Sequence, residues 1–97
     1  MFKKVLIEMR HRVRNGEMTL TLHAVDEMYD DDLLPSDLEH CILFGEINQR
    51  QWDEDWHEWK YVIEGTATDE SRIEAVAKLG RNDDTIVITV YRLFCKL

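Results

Sequence analysis

Apolar residues at the start of the chain recur at helical spacing. Phe2, Val5, Leu6, Met9 and Val13 fall at i, i+3, i+4, i+7 and i+11, which predicts an amphipathic helix over residues 2–14. Lys3, Lys4, Glu8, Arg10, His11, Arg12 and Arg14 fill the polar side, and Asn15-Gly16 supplies a C-cap. Glu17 to Thr21 alternates briefly and reads as a short extended piece. Thr21 is a suitable N-cap for a second helix over roughly 22–32, with Leu22, Val25, Tyr29 and Leu33 as its apolar stripe. Asp30, Asp31 and Asp32 crowd negative charge at the unfavourable helix end and stop it. Ser36 with Glu39 three residues later forms a capping box, so a third helix is expected over 36–44. Leu38, Cys41 and Ile42 form its apolar face, and Gly45 ends it.

Beyond Gly45 the period changes to two. Strands are predicted at 46–51, 58–65, 72–79 and 85–93, with the turn cluster Gly80 to Asp84 before the last. One sheet face collects Trp59, Tyr61 and Ile63, then Ile73, Ala75 and Ala77, then Ile86, Ile88 and Val90. The opposite face collects Lys60, Val62 and Glu64, then Arg72, Glu74, Val76 and Lys78, then Val87, Thr89 and Tyr91. The connections are too short for crossover helices, so neighbouring strands should run antiparallel. The expected fold class is α+β, a single domain over 1–97 with three helices packed on one face of a four-stranded antiparallel sheet. The other face, rigid and uncovered, is the natural place for a site.

Composition narrows the class. Apolar residues are 44% and charged residues 33% of the 97, a globular balance; one Pro and four Gly leave no room for low-complexity linkers. The four glycines sit at element ends, where turns account for them. No apolar run approaches the roughly 20 residues that span a bilayer, and no secretory signal is visible. Cys41 and Cys95 are too few for a disulfide scaffold and are expected as reduced thiols in a cytoplasm.

Charge is unevenly spread under a net of -8. Residues 1–15 carry five bases against Glu8, a net of +4. Residues 26–58 carry twelve acids against Arg50, a net of -11. An acidic body repels phosphate at long range, which counts against tight non-specific nucleic-acid binding and suits a basic partner.

Several chemistries find no motif. The four histidines and two cysteines lack metal-ligand spacing, no glycine-rich phosphate loop occurs, and Ser36 and Ser71 fit a cap and a turn. His23 lies in the first turn of the second helix, where the helix end favours a neutral base; an exposed packing histidine is the plainer reading. Tyr91 is placed to donate to a phosphate or simply to fill a strand. Lys60, Arg72, Lys78 and Arg81 could bind phosphate oxygens or pair across strands with Glu64 and Glu74. Trp52, Trp56 and Trp59 offer stacking rings, but amid so many acids they read first as core packing and a lid over a sheet edge.

Leu20 to Met28, Leu43 to Ile47, Glu58 to Gly65, and Val76 to Gly80 with Ile86 to Tyr91 together resemble domain-of-unknown-function family 4258. The opening T-x-H-A-x-x-x-M and the closing I-T-V-Y strand carry most of the resemblance, which covers about residues 16–92. That family is similar to RelE-type toxins, within the metal-independent ribonuclease folds that include barnase. The resemblance implies RNA on the open sheet face and a small antitoxin-like regulator as partner. It matches His23 to the family histidine, Lys78 to a basic strand position and Tyr91 to the last-strand tyrosine. Relatives often have Arg where this chain has Glu27.

Two functions are therefore expected as alternatives. One is a cofactor-free ribonuclease toxin: His23 acts as acid or base, Lys78 and Arg81 stabilise phosphorane charge, and Tyr91 orients the phosphate, with Lys60, Arg72 and Arg81 holding the substrate. It requires His23, Lys78 and Tyr91 to place their tips within about 10 Å of one another, the span of one phosphate and its donors. The other is a non-catalytic module that binds a basic partner through the acidic 26–58 surface.

Overall fold

The structure, a computed structural model, describes residues 1–93. The elements are α1 (Lys3–Arg14), β1 (Met18–Leu20), α2 (Leu22–Asp30), α3 (Pro35–Phe44), β2 (Glu46–Asp53), β3 (Glu58–Thr66), β4 (Arg72–Leu79) and β5 (Thr85–Arg92). No helix among the described residues is long and apolar enough to cross a membrane.

The fold is α+β with three helices, but its sheet has five strands in the order β1-β5-β4-β3-β2. This corrects the expected four-stranded antiparallel sheet. β2 through β5 form an antiparallel meander, as their short turns require. The extended piece after α1 becomes β1 and pairs parallel with β5, Met18 opposite Thr85 and Leu20 opposite Val87. The rule that short connections force antiparallel pairing does not reach this pair, because two helices and three strands separate β1 from β5.

One core cluster lies between the helices and one sheet face. α1 contributes Met9 and Val13, α2 Ala24 and Met28, and α3 Leu38, Cys41 and Ile42, against Ile63, Ile73, Ala75, Ala77, Val87 and Val90. A fully buried Leu38 or Ile42 contributes about 2 kcal/mol of hydrophobic stabilisation before entropy is counted. Two arginines of the basic segment serve this packing. Arg10 donates to the carbonyls of Ile42 at 2.9 Å and Gly45 at 2.6 Å, so it closes the C-terminal end of α3. Arg12 donates to Gly80 and Asp84 carbonyls at 3.0 and 2.8 Å and fixes the β4–β5 turn.

Local expectations divide. Thr21 caps α2 by accepting from Ala24 N–H at 3.1 Å, and Gly16 takes a left-handed φ of 77° beyond Asn15. α3 starts earlier than its Ser36 capping box implied. Pro35 is its first residue, and the Asp37 carboxylate accepts the Leu34 N–H at 2.8 Å. Of the expected α2 stripe only Leu33, just beyond the helix, is buried: Leu22, Val25 and Tyr29 are exposed, while Ala24 and Met28 face the core. Small Ala24 lets the helix lie close against β5.

β5 departs from strict alternation. Ala77 opposes Val87 and Val76 opposes Thr89, so Ile88 is the extra residue of a β-bulge. Val87 and Val90 thus both face the core, and Ile86 and Ile88 leave the buried set in which alternation placed them. Gly45 and Gly65 serve close packing instead of turns. A Cβ on Gly45 would stand 2.5 Å from the Cys41 and Glu64 carbonyl oxygens, and one on Gly65 would stand 2.9 Å from the Cys41 carbonyl. Trp52, Trp56 and Trp59 are exposed and lie outside the core.

Candidate functional site: the open sheet face

The register lays out the uncovered face in rows. Glu64, Glu74 and Tyr91 form one row, and Val62, Val76 and Thr89 the next. Lys78 opposes Ile86 nearer the other end. Val62 is buried although it lies outside the main core cluster, so the centre of this face is apolar. Polar side chains surround that centre.

Nearly every candidate group there is held by a carboxylate. Lys78 pairs with Glu58, and Arg72 pairs with Glu64. Lys60 lies 3.7 Å from Asp53, and the Tyr91 hydroxyl donates to Glu74. His23 Nε2 lies 3.1 Å from Glu27 Oε1. Arg81, in the β4–β5 turn, is exposed and has no ion pair or side-chain hydrogen bond among the described residues. The bond to Glu74 pushes the Tyr91 phenol up to about 12, with burial and the charges of Glu74 and Glu27 adding to the rise. Tyr91 is therefore a neutral donor already committed to an anion.

The candidates fall into two groups. Glu27 joins His23 to the Tyr91 end, because its carboxylate also accepts the Val90 N–H at 3.1 Å. Lys78 and Arg81 meet at the other end, in a depression of about 250 Å³ beside Trp56 and Asn82. Lys78 and the partner position of Tyr91 are four residues apart on β4, about 13 Å along the strand. The structure holds His23 on Glu27 at the free side of β5, holds Tyr91 on Glu74 across the open face, and sets Lys78 with Arg81 around one depression. It ties Lys60 and Arg72 to their own acids.

The strand pattern predicts the cross-strand pairing with Glu64 that holds Arg72; Glu58, Asp53, Glu27 and Asp31 are the partners that sequence reasoning missed. Glu27 and Asp31, one helical turn apart, accept Val90 N–H and Arg92 N–H along the free side of β5, each at 3.1 Å. They were legible only as helix-end charge. Among the described residues no three His, Cys, Asp or Glu side chains come together as a metal site requires.

A family profile described as domain of unknown function (DUF4258) matches residues 20–92. The chain belongs to the DUF4258 family. No curated protein and no solved structure matches it. The DUF4258 segment opens at the end of β1 and closes at the end of β5, so it contains α2, α3 and the whole meander. α1 lies outside it, yet Met9 and Val13 complete the core of this DUF4258 domain.

Proposed function

We propose that this DUF4258 chain is a protein-binding module that docks a basic amphipathic segment of a partner on α2. The observation that carries the reading is the exposed apolar stripe of that helix. Leu22 and Tyr29 are each 86% exposed and Val25 lies between them, flanked by exposed Asp26 and Asp30. Leucine, valine and tyrosine at one helical spacing, turned to water, form a contact surface with a ready anchor in the tyrosine. The flanking acids select a cationic partner, for example the basic face of a small regulator. The acidic 26–58 surface thus divides its labour: Glu27, Asp31 and Asp37 bond the fold's own amides, while Asp26 and Asp30 face outward.

The test uses a synthetic leucine–lysine amphipathic helix of about 14 residues, long enough to form when bound. Calorimetric titration should show binding, and Leu22→Asp or Tyr29→Asp should weaken it at least about tenfold, or 1.4 kcal/mol. A leucine–glutamate helix of equal length should not bind. Equal binding of both peptides, or indifference to both substitutions, defeats the reading.

A second reading, a RelE-like ribonuclease, is favoured by the His23–Glu27 pair beside the β5 edge, where Glu27 holds the amide of Val90, one residue along the chain from Tyr91. It requires phosphate to displace carboxylates from Lys78 and Arg72 in turn, and that competition makes it the weaker of the two. Cleavage of RNA by purified protein, lost in His23→Ala, would establish it.

A further inference from the structure

The two sides of the sheet end differently. On one side β1 is three residues long, and beyond it the free amides of β5 are covered by Glu27 of α2 and by Asp31, the C-cap of that helix. Thr21 also donates to the β5 carbonyls, through its N–H to Val87 and through its hydroxyl to Ile88 at 3.0 Å. That is how proteins close an edge. On the other side β2 runs eight residues and pairs only with β3. Among the described residues, no turn, cap or side-chain hydrogen bond reaches the β2 main chain. All of β2 except Ile47 and Asp53 is exposed.

The surroundings of that edge have a definite chemistry. Arg50, Trp52 and Ile47 share the β2 face that looks toward α1, opposite Tyr61, Trp59 and Ile63. Arg50 stacks over the Trp59 ring at 3.9 Å, which leaves its N–H edges open. Between α1 and this face lies a hollow of about 660 Å³ lined by Phe2, Lys3, Lys4, Arg50 and Tyr61 among others. A smaller hollow of about 280 Å³ continues past Leu6, Ile7 and Ile47. Lys3, Lys4 and Arg50 have no acidic partner among the described residues, whereas the lysines of the open face do. Of the acids of β2 itself, Glu46 stands at one end and lines the smaller hollow with Lys3 and Arg10, and Asp53 at the other end is engaged with the Asp55 and Trp56 amides and with Lys60.

We propose that β2 is a docking edge for an extended acidic segment of a partner protein, which adds a sixth strand and sets its carboxylates against Lys3, Lys4 and Arg50. The bare edge decides between ligands that the cations alone would not separate. A row of main-chain donors and acceptors is satisfied by another polypeptide backbone, and a sugar–phosphate backbone offers no matching donors. Strand addition places alternate side chains on the α1 side, so acids at every second position meet the three cations. This surface is distinct from α2, and a failure on either leaves the other standing.

The experiment titrates the full chain with a capped peptide of alternating glutamate and valine, about as long as β2. Amide hydrogen exchange followed by NMR should show the fast-exchanging β2 amides becoming protected. The combined Lys3→Glu, Lys4→Glu and Arg50→Glu variant should weaken binding at least tenfold while keeping the wild-type melting curve. A peptide with the same side chains but N-methylated on alternate amides keeps the charge and cannot complete the ladder, so it should not bind. This arm uses the wild-type protein and does not depend on how any variant folds. Equal binding of the N-methylated peptide overturns the proposal. So does equal binding of a lysine–valine peptide, or stronger protection of the same amides by oligouridine. Protection of β2 without any peptide, through pairing of two copies, also overturns it.

Discussion

Glu27 Oε1 accepts the Val90 main-chain N–H at 3.1 Å while it holds His23 Nε2 at the same distance. One carboxylate thus closes the β5 edge and fixes the candidate histidine. Glu27→Ala leaves the Val90 amide without its partner and should cost about 1–2 kcal/mol in urea unfolding. Glu27→Gln keeps an acceptor and should cost less. Equal losses in the two variants would show that the hydrogen bond contributes nothing.

Asp37 carries a pH dependence of known sign. Burial alone would raise its pKa, but hydrogen bonds from the Leu34 N–H and from the Thr68 N–H and hydroxyl outweigh that and hold it below the usual value. Its folded pKa is depressed, so its contribution is present above the unfolded value of about 3.9 and is lost as pH falls through the folded one. Asp37→Ala should cost about 2–3 kcal/mol at neutral pH, and the difference from wild type should shrink in acid. Urea melts across that pH range check it.

The Tyr91 phenol should titrate at about 12, chiefly because it donates to the Glu74 carboxylate. Removing the anion in Glu74→Gln should bring the phenol down toward the ordinary value of about 10. Ultraviolet titration against a Tyr91→Phe control isolates this one residue.

Cys41 and its glycine neighbours should behave as a packed unit. Burial, with a smaller effect from Glu74, pushes the Cys41 thiol up to about 12, so native protein should resist alkylation there until it is unfolded. Gly65→Ala forces a Cβ against the Cys41 carbonyl and sulfur and should cost about 1–3 kcal/mol, with faster Cys41 labelling as the contact loosens. Cys95, expected as a second free thiol, lies outside the described residues.

What could be read from the sequence was local. The alternation of Ile73, Ala75 and Ala77 and the Thr21 cap depend on neighbours a few residues away, and the structure keeps them. The β5 bulge left no mark, because Thr85 to Val90 is all strand-forming residues with no glycine to flag an irregularity. On α2 two apolar stripes competed, Leu22/Val25/Tyr29 and Ala24/Met28. Size favoured the first, and close approach to β5 selected the second. At the candidate site the basic residues were legible, and so were Glu64 and Glu74 as cross-strand acids, but which acid holds which group was not. Glu58 is 20 residues from Lys78, and Glu74 takes the Tyr91 hydroxyl, 17 residues away, and no cation among the described residues; only the sheet register resolves these pairings.

The pairing of β1 with β5 sets the order in which the chain can finish folding. Thr85 donates from its N–H to the Glu17 carbonyl and from its hydroxyl to the Met9 carbonyl, 76 residues away. During synthesis α1 and β1 emerge early and find no permanent neighbour in β5 until the last strand has left the ribosome. The meander can assemble hairpin by hairpin and α1 can pack on α3 through Arg10, but β1 must wait unpaired. Closing so long a loop is slow compared with local pairing. β5 therefore works as a latch, and the interval before it shuts is when a nascent chain of this kind is most open to proteases and to chaperones.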